Sequence, residues 1–382
     1  MLLQGQVRTR PRQGFSQAYA GVQPISVLTH STQRFQPLPP PLGEPPYHYD
    51  LETVIPGIGA QAAANGKIVF HCVGDTGGIK EPSFQVNVSN AMKADLSLPP
   101  GQAPSFFYHL GDVVYFNGQI SEYYGQFYEP YDGYTPPIIA IAGNHDGDPI
   151  DSSQVSLDGW VAYFMTAQPH VDPASHDAPR VTMSQPNVYF TLLLPFATIV
   201  GLYTNVPEHG SIDSVQQQWL TNEFATADPA RALIVALHHP VYSFDNFHSG
   251  SPNMANVLDQ AINDSQRVPN LVLTAHVHNY QRIEQNVAGG IRIPFLVSGN
   301  GGYHNLHKLN AAPGAADPNN GALLVAADDQ NHGYMTMTID AANISISYNS
   351  VDDSTGLITP NFDVAAYPAA AQYLPAGTTV NL

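Results

Sequence analysis

Short apolar runs, separated by turn residues and helical stretches, make up the chain from residue 67 onward. Each run has the length and composition of a strand that is buried on both faces. The runs span residues 67–73, 105–110, 137–142, 188–194, 197–203, 232–237, 270–275 and 291–298. Segments 211–227 and 252–266 are predicted helices. Strands that alternate with helices are typical of an α/β domain, which is the fold class that this pattern predicts.

The segments outside this pattern differ in texture. Residues 334–348 hold two runs of alternating apolar and polar side chains around a polar turn, which predicts a closing antiparallel hairpin. Residues 1–65 contain a proline-rich run at 36–46 that favours an extended arm or linker on the domain surface over a peptide-recognition motif. The Ala- and Pro-rich residues 351–382 are predicted to be a tail packed on the surface, which leaves 66–350 as the main domain.

The composition narrows the functional classes. The 382 residues include 13 Lys and Arg against 31 Asp and Glu, for a formal net charge of −18. This charge argues against nucleic acid as a partner, because phosphate backbones need Lys- and Arg-rich surfaces. The single cysteine, Cys72, excludes a disulfide framework and a Cys-rich zinc site. The 16 histidines point to metal or acid–base chemistry.

The cellular location has two alternatives at this stage. No segment has the roughly eighteen consecutive apolar residues of a transmembrane helix. The N-terminal residues 1–17 carry arginines without an apolar stretch behind them, so no secretory signal is visible. The cytoplasm is therefore the default expectation, and export is the alternative that the family resemblance described below favours.

Residue types that bind metals stand at the ends of five predicted strands. Because the carboxyl ends of the strands in an α/β sheet form the crevice where ligands bind, these residues are expected to converge on one patch. One such motif alone is weak evidence, whereas the set together predicts a metal site. The motifs are Gly74-Asp75, Gly111-Asp112-Val113-Val114-Tyr115, Gly143-Asn144-His145-Asp146, His238-His239 and His276-Val277-His278.

This set resembles the metallophosphoesterase (calcineurin-like) superfamily and, within it, the purple acid phosphatases. The discriminating residue is Tyr115, three positions after Asp112, where the purple acid phosphatase pattern places a metal-binding tyrosinate. The resemblance implies a four-layer α/β/β/α sandwich of two mixed β-sheets flanked by helices. It also implies that residues 66–350 are a dinuclear metallophosphoesterase catalytic domain.

The resemblance extends over about residues 67–348. The Asn-Tyr-Gln-Arg sequence at 279–282 and the Gly-Asn-Gly-Gly sequence at 299–302 also resemble the family. One departure is Ala275, where the family has glycine before the His pair. Residues 1–65 are too short and too rich in proline to be the N-terminal β-sandwich of the large plant-type enzymes.

The resemblance implies two metal ions, Fe(III) and a divalent Fe, Zn or Mn ion. The implied ligands are Asp75, Tyr115 and His278 for the harder ion, Asp112 as the bridge, and Asn144, His238 and His276 for the second ion. The family has a single histidine where this sequence has two, so the ligand is either His238 or His239. His238 is favoured because it keeps the Val-x-x-His spacing from Val235. Carboxylates and a phenolate suit a trivalent cation, whereas imidazoles and an amide suit a borderline divalent one.

Three further residues are implied to act on the substrate. His145 would orient the phosphate or protonate the leaving group, and Asp146 would orient the His145 ring. His248 falls where the plant-type enzymes place a second substrate histidine, and a surface loop is its alternative. For the residues that follow the Gly-rich turn, a surface loop is favoured over a place at the border of the cleft: Tyr303, His304 and His307.

The implied function is the hydrolysis of phosphate esters. An acid phosphatase that cleaves phosphomonoesters by attack of a metal-bound hydroxide, best at mildly acid pH, is the leading hypothesis. The alternatives are a phosphodiesterase with the same dinuclear site and a metal-binding protein with little hydrolytic activity. The expected partner is a small-molecule phosphate ester, with no nucleic acid and no membrane span. The sequence leaves the substrate, the second metal and the oligomeric state undecided.

Overall fold

The computed structural model describes residues 32–382, so the part of the predicted arm in residues 1–31 lies outside the described residues. The strands are β1 His48–Asp50, β2 Lys67–Val73, β3 Phe107–His109, β4 Ile138–Ala140, β5 Phe190–Leu193, β6 Ala197–Gly201, β7 Ala232–Ala236, β8 Arg267–Val268, β9 Leu271–Thr274, β10 Tyr280–Asn286, β11 Arg292–Ser298, β12 Leu323–Asp328, β13 His332–Asp340, β14 Asn343–Val351, β15 Ile358–Pro368 and β16 Gln372–Tyr373. The α-helices are α1 Leu51–Val54, α2 Ile58–Asn65, α3 Pro82–Ala94, α4 Asn144–Gly147, α5 Asp158–Phe164, α6 Ser214–Thr226 and α7 Pro252–Ser265.

The larger sheet has eight strands in the order β1-β5-β6-β7-β9-β11-β10-β12. Its central strands β6, β7, β9 and β11 are parallel. Strands β5 and β10 run antiparallel to their neighbours β6 and β11. Every residue of β7 is buried, as expected for a parallel strand that is covered on both faces. The central strands therefore bring their carboxyl ends to one edge of the sheet.

The second sheet has six strands in the order β15-β14-β13-β2-β3-β4. Strands β2, β3 and β4 are parallel, and β13 pairs antiparallel with β2. Strands β13 and β14 form the antiparallel hairpin that the period-two pattern predicts. The parallel half of this sheet supplies a second set of carboxyl ends.

The two sheets pack face to face with helices outside them. A Cβ atom built on Gly201 of β6 would lie 2.7 Å from the hydroxyl of Tyr108 in β3, so the sheets are in contact at this point. Helix α3 packs against β13 and β14. On the other sheet, Glu223 of α6 accepts a hydrogen bond from Thr191 Oγ1 of β5 at 2.6 Å. The predicted sandwich of two mixed sheets flanked by helices is confirmed.

Both helices predicted from apolar spacing are present and are capped by suitable side chains. Asp213 precedes α6 and Ser251 precedes α7, and each side chain accepts a hydrogen bond from a backbone N–H in the first turn. Pro252 occupies the first turn of α7, where its missing N–H costs nothing. Within residues 32–382, none of the helices is long and apolar enough to cross a lipid bilayer.

The two ends of the described chain contain more regular structure than their composition predicts. Strand β1 pairs in parallel with β5, and helices α1 and α2 lie between β1 and β2. Strand β15 extends the six-stranded sheet as an edge strand on β14, and β16 pairs with β8. Residues 351–382 therefore include sheet strands, whereas the sequence predicted a tail packed on the surface. The domain boundaries at residues 65 and 350 stay a prediction.

Candidate metal centre

The predicted ligands converge where the carboxyl ends of both sheets meet. They follow β2, β3 and β4 in the six-stranded sheet and β7 and β9 in the eight-stranded sheet. Hydrogen bonds join the two edges: His238 Nδ1 donates to the carbonyl of Leu110 at 2.9 Å, and the Gly74 N–H donates to the carbonyl of Ser298 at 2.9 Å. The side chains of both edges therefore face one buried cleft.

Asp75, Tyr115 and His278 form the first donor group. The hydroxyl of Tyr115 donates to Asp75 Oδ1 at 2.9 Å and lies 3.4 Å from His278 Nε2. Asp75 Oδ1 lies 3.4 Å from the same nitrogen. Because His278 Nδ1 donates to the backbone carbonyl of Asn305 at 3.0 Å, Nε2 is left as the nitrogen with a free lone pair facing this group.

Asp112, Asn144, His238 and His276 form the second donor group. Asn144 Oδ1 lies 3.1 Å from His238 Nε2 and 3.0 Å from His276 Nδ1. Asp112 Oδ2 lies 3.3 Å from His238 Nε2. Donor atoms of Asp75, Asp112 and His238 all lie within 4.8 Å of one another, so Asp112 connects the two groups.

The doubled histidine is divided between two environments. His238 points into the second donor group, whereas His239 Nδ1 is 2.7 Å from Thr204 Oγ1. The His239 ring packs against the ring of His276 with centroids 4.4 Å apart. This arrangement supports His238 as the ligand and gives His239 a packing role behind it.

The backbone at the strand ends is strained in a way that aims these side chains. Asp75, Asp112 and His276 have φ angles of 54°, 53° and 64°, in the left-handed region. Each such residue costs about 1–2 kcal/mol relative to a right-handed conformation, and strain of this kind concentrates at functional sites. Gly143 is required nearby, because a Cβ atom there would lie 2.1 Å from Asp112 Oδ1.

Burial dominates the electrostatics of the cleft. It raises the pKa of Asp75 well above its ordinary value and lowers the pKa of His276 and His278 well below theirs. Burial also disfavours the charged forms of Asp112 and His238, but the attraction between them prevails. This attraction between Asp112 and His238 holds the pKa of Asp112 below its usual range and raises the pKa of His238 to about 9.

The donor groups fit two metal ions. Among the described residues, Asp112 Oδ2 is buried and has no hydrogen-bond partner. The ion pairs of Asp75 and Asp112 within residues 32–382 involve histidines rather than Lys or Arg. Buried carboxylates need a compensating charge, and bound cations provide it. The phenol and carboxylates of one group suit a harder ion than the amide and imidazoles of the other.

His145 lies beside the centre, but its ring is held by a different group from the one that we expected. Its Nδ1 donates to the backbone carbonyl of Phe116 at 2.8 Å. Asp146, which we expected to orient this ring, instead accepts hydrogen bonds from the backbone N–H groups of Gly143 at 2.9 Å and Val113 at 3.0 Å. Asp146 therefore ties the loops after β3 and β4 together, and the carbonyl of Phe116 holds the ring.

His248 lies at the wall of the cleft. Its ring centroid is 4.6 Å from that of His276, and its Nδ1 is 2.5 Å from Glu208 Oε1. This placement favours the interpretation of His248 as a substrate-binding histidine beside the centre over the interpretation as part of a surface loop.

Two residues for which we favoured a surface loop over the border of the cleft lie against the donor groups. The Tyr303 ring is 4.1 Å from the Tyr115 ring, and the buried His307 ring is 4.5 Å from the His278 ring. Their place directly after the Gly-rich turn was the available signal in the sequence. No motif pointed to Glu208.

The family model of the calcineurin-like phosphoesterases matches residues 47–280 of this chain. The chain therefore belongs to the calcineurin-like phosphoesterase family. This family consists of metal-dependent phosphoesterases with dinuclear centres. The match includes the ends of β2, β3, β4, β7 and β9 and thus every residue of the two donor groups.

Two solved structures show the same fold at low sequence identity. The purple acid phosphatase PPD1 from seeds of yellow lupin (Lupinus luteus) is 17% identical, with a TM-score of 0.54 over 78% of this chain. The match covers 53% of the lupin chain, so this chain spans about half of its length. GAP50, the anchor in the inner membrane complex of Plasmodium, is 13% identical, with a TM-score of 0.55 over 80% of this chain and 90% of its own.

Proposed function

We propose that this protein is an acid phosphatase of the purple acid phosphatase type that hydrolyses small phosphomonoesters. The observation that carries the proposal is the division of the buried donors into two groups. Neighbouring donor atoms within each group lie 2.9–3.4 Å apart, and Asp112 connects the groups. Membership in the phosphoesterase family supports hydrolysis, and Tyr115 in the first group supports the purple acid phosphatase type.

Two metal ions complete this proposal. The proposed ligands are Asp75, Tyr115 and His278 for Fe(III), Asp112 as the bridge, and Asn144, His238 and His276 for a divalent Fe, Zn or Mn ion. When bound, such a pair supplies Lewis-acid polarisation of the phosphoryl oxygens and activation of water. The catalytic domain that holds them is proposed to span residues 66–350.

The chain's own contribution to the reaction is to bind the phosphate and to protonate the leaving group. His145 keeps Nδ1 on the carbonyl of Phe116, which leaves Nε2 to carry a proton to the leaving alcohol. His248 keeps Nδ1 on Glu208, which leaves its Nε2 for a phosphoryl oxygen.

The test compares a chromogenic phosphomonoester and phosphodiester, p-nitrophenyl phosphate and bis(p-nitrophenyl) phosphate, with purified protein loaded with iron and zinc. The expected result is a larger kcat/KM for the monoester. Asn144→Ala, which removes a proposed ligand, should lose both metal and activity. The matched control is Asn222→Ala on the solvent side of α6, which should keep both.

Each other outcome rejects a stated part of the proposal. A larger kcat/KM for the diester would make the protein a phosphodiesterase with the same site. Two bound metal ions without hydrolysis of either ester would leave a metal-binding protein of the same fold and would reject the phosphatase.

A further inference from the structure

Glu208 lies in the loop after β6, at the wall of the metal centre, and contacts two of its histidines. One carboxylate oxygen, Oε1, is 2.5 Å from His248 Nδ1 and 4.0 Å from His276 Nε2. The side chain is 41% exposed, so Glu208 reaches this position from the rim of the cleft rather than from its floor.

The two nitrogens of His276 face opposite partners. Nδ1 is 3.0 Å from Asn144 Oδ1 and so belongs to the second donor group. Nε2 is buried and, among the described residues, has no hydrogen-bond partner. Its nearest anionic atom is Glu208 Oε1. At 4.0 Å the two atoms are too far apart for a hydrogen bond, so Glu208 acts on His276 through its negative charge, which favours the tautomer with the proton on Nε2 and the lone pair of Nδ1 on the second donor group.

His248 depends on Glu208 in a second way. Its backbone N–H donates to Asp245 Oδ2 at 2.8 Å, which fixes the main chain. The ring lies between those of His276, at 4.6 Å, and His307, at 5.2 Å. The hydrogen bond from Nδ1 to Glu208 sets the rotation of the ring, and this rotation decides where Nε2 points.

Glu208 is itself supported by the N-terminal segment. The Glu208 N–H donates to Gln33 Oε1 at 3.0 Å, and Gln33 Nε2 lies 3.5 Å from Glu208 Oε2. Close by, the Gln36 N–H donates to Asn205 Oδ1 at 2.7 Å. Residues of the proline-rich arm thus brace the loop that carries Glu208.

We propose that Glu208 is a positioning residue of the metal centre, which orients the ring of His248 by a hydrogen bond, sets the tautomer of His276 through the charge of the same carboxylate, and is braced by Gln33. Its effect on turnover rests on the proposed function, whereas its effect on metal and phosphate binding does not. The same three side chains present donor atoms within 4.8 Å of one another. The test therefore distinguishes a positioning carboxylate from a metal ligand.

The experiment compares the wild-type protein with Glu208→Gln, Glu208→Ala, His248→Ala and the Glu208→Gln/His248→Ala double variant. The matched control is Glu44→Gln, which changes an exposed glutamate away from the centre. For each protein we would measure zinc stoichiometry and zinc affinity, the affinity of the zinc-loaded protein for inorganic phosphate, and kcat and KM for p-nitrophenyl phosphate.

The expected result is two zinc ions per chain in all variants at saturating metal, with zinc affinity about 10-fold lower in the Glu208 variants. Phosphate affinity should fall in Glu208→Gln, in Glu208→Ala and in His248→Ala. The double variant should lose little more than His248→Ala alone, because the two residues act as one unit. The control should behave like the wild type.

Three other outcomes would reject the positioning role of Glu208 or the proposed phosphatase function. Wild-type zinc and phosphate affinities in Glu208→Gln and Glu208→Ala would overturn the proposal. A fall in saturating zinc stoichiometry in these variants would make Glu208 a ligand and would also overturn it. If the wild type hydrolyses no ester but the metal and phosphate measurements follow expectation, the positioning role stands and the proposed phosphatase function fails.

Discussion

Tyr115 and His145 pack against each other at the candidate metal centre, with ring centroids 4.6 Å apart, yet their polar atoms have different partners. The Tyr115 hydroxyl lies in the first donor group, within 2.9 Å of Asp75 Oδ1. His145 Nδ1 is bound to the main chain at Phe116. At the scale of single residues, one is therefore expected to affect metal binding and the other proton transfer.

The first prediction concerns His145. His145→Ala should lower kcat for p-nitrophenyl phosphate by roughly 10²–10⁴-fold, because the leaving group loses its proton donor. Metal content should not change, because His145 is not a proposed ligand and the Ala variant keeps the backbone N–H that donates to Asp112 Oδ1 at 2.9 Å. Metal analysis and steady-state kinetics check both points, with the exposed His170→Ala as control. Loss of metal together with activity would contradict this role.

The second prediction concerns Tyr115. A phenolate bound to Fe(III) absorbs visible light through ligand-to-metal charge transfer, so the iron-loaded, oxidised protein should be violet or pink. Burial raises the pKa of the Tyr115 hydroxyl well above its ordinary value, so its ionisation requires the cation. Tyr115→Phe should therefore remove the colour and weaken iron binding while the circular dichroism spectrum is kept.

The control for this experiment is Tyr303→Phe, because the Tyr303 ring packs against Tyr115 outside the two donor groups. It should keep the absorption band, although the band can shift in wavelength. A colourless wild-type protein with two irons per chain would contradict the purple acid phosphatase assignment and would leave an ordinary metallophosphoesterase.

The candidate site was predictable from the sequence to the extent that its residues are tied to strands. Asp75, Asp112 and Asn144 follow their strands directly, so a correct strand prediction also places them. Glu208 and His307 belong to long loops without periodicity, and their approach to the centre depends on how the loops fold back. Asp146 was assigned to the wrong partner because sequence proximity to His145 does not reveal a hydrogen bond to the main chain.

At the scale of elements, β2 combines a buried apolar strand with a buried histidine. His71 Nδ1 lies 3.1 Å from the Tyr134 hydroxyl, and Nε2 lies 3.1 Å from Asp95 Oδ2. Burial lowers the pKa of His71 despite the opposing effect of Asp95. The histidine is therefore neutral in the folded protein under conditions in which the unfolded chain is protonated.

The third prediction follows from this difference. The stabilising effect of a neutral His71 is fully present above the unfolded pKa of about 6.5 and is lost as the pH falls below it, by up to about 1.4 kcal/mol per pH unit. His71→Gln should therefore show a smaller loss of unfolding free energy between pH 7.5 and pH 5.5 than the wild type. Urea unfolding of both proteins at the two pH values, in the presence of chelator, measures this loss of unfolding free energy.

The exposed variant His170→Gln serves as the control and should keep the pH dependence of the wild type. If His71→Gln loses as much unfolding free energy on acidification as the wild type does, His71 is not the group responsible.

The elements that apolar runs did not predict owe their structure to tertiary partners. Strand β10 includes Arg282 and Glu284, and its polar side chains are paired rather than exposed. Arg282 forms hydrogen bonds of 2.6 and 2.8 Å with Asp363 of β15, which is likewise mixed in polarity. In α3, the β-branched residues Val86 and Val88 have low helix propensity, so the sequence did not predict this helix, whose buried face includes Met92. Such pairings only exist once the sheets have formed.

At the scale of the whole molecule, the candidate metal centre lies where the two sheets meet. Three of its strand ends come from the six-stranded sheet and two from the eight-stranded sheet. The carboxylates of Asp75 and Asp112 are buried there in a chain whose net charge is already −18. Cations bound between the sheets would therefore connect them and offset part of this charge.

The last prediction is that metal ions stabilise the fold as a whole. A ligand that binds only the folded state adds about 2.7 kcal/mol to the unfolding free energy at a concentration 100 times its Kd. Urea unfolding with chelator and with saturating zinc measures this gain. Asp112→Asn should lose most of it, because the shared carboxylate is removed, whereas Asp151→Asn on an exposed loop should keep it. Equal stability of the wild type with chelator and with zinc would show that the donor groups do not hold metal between the sheets.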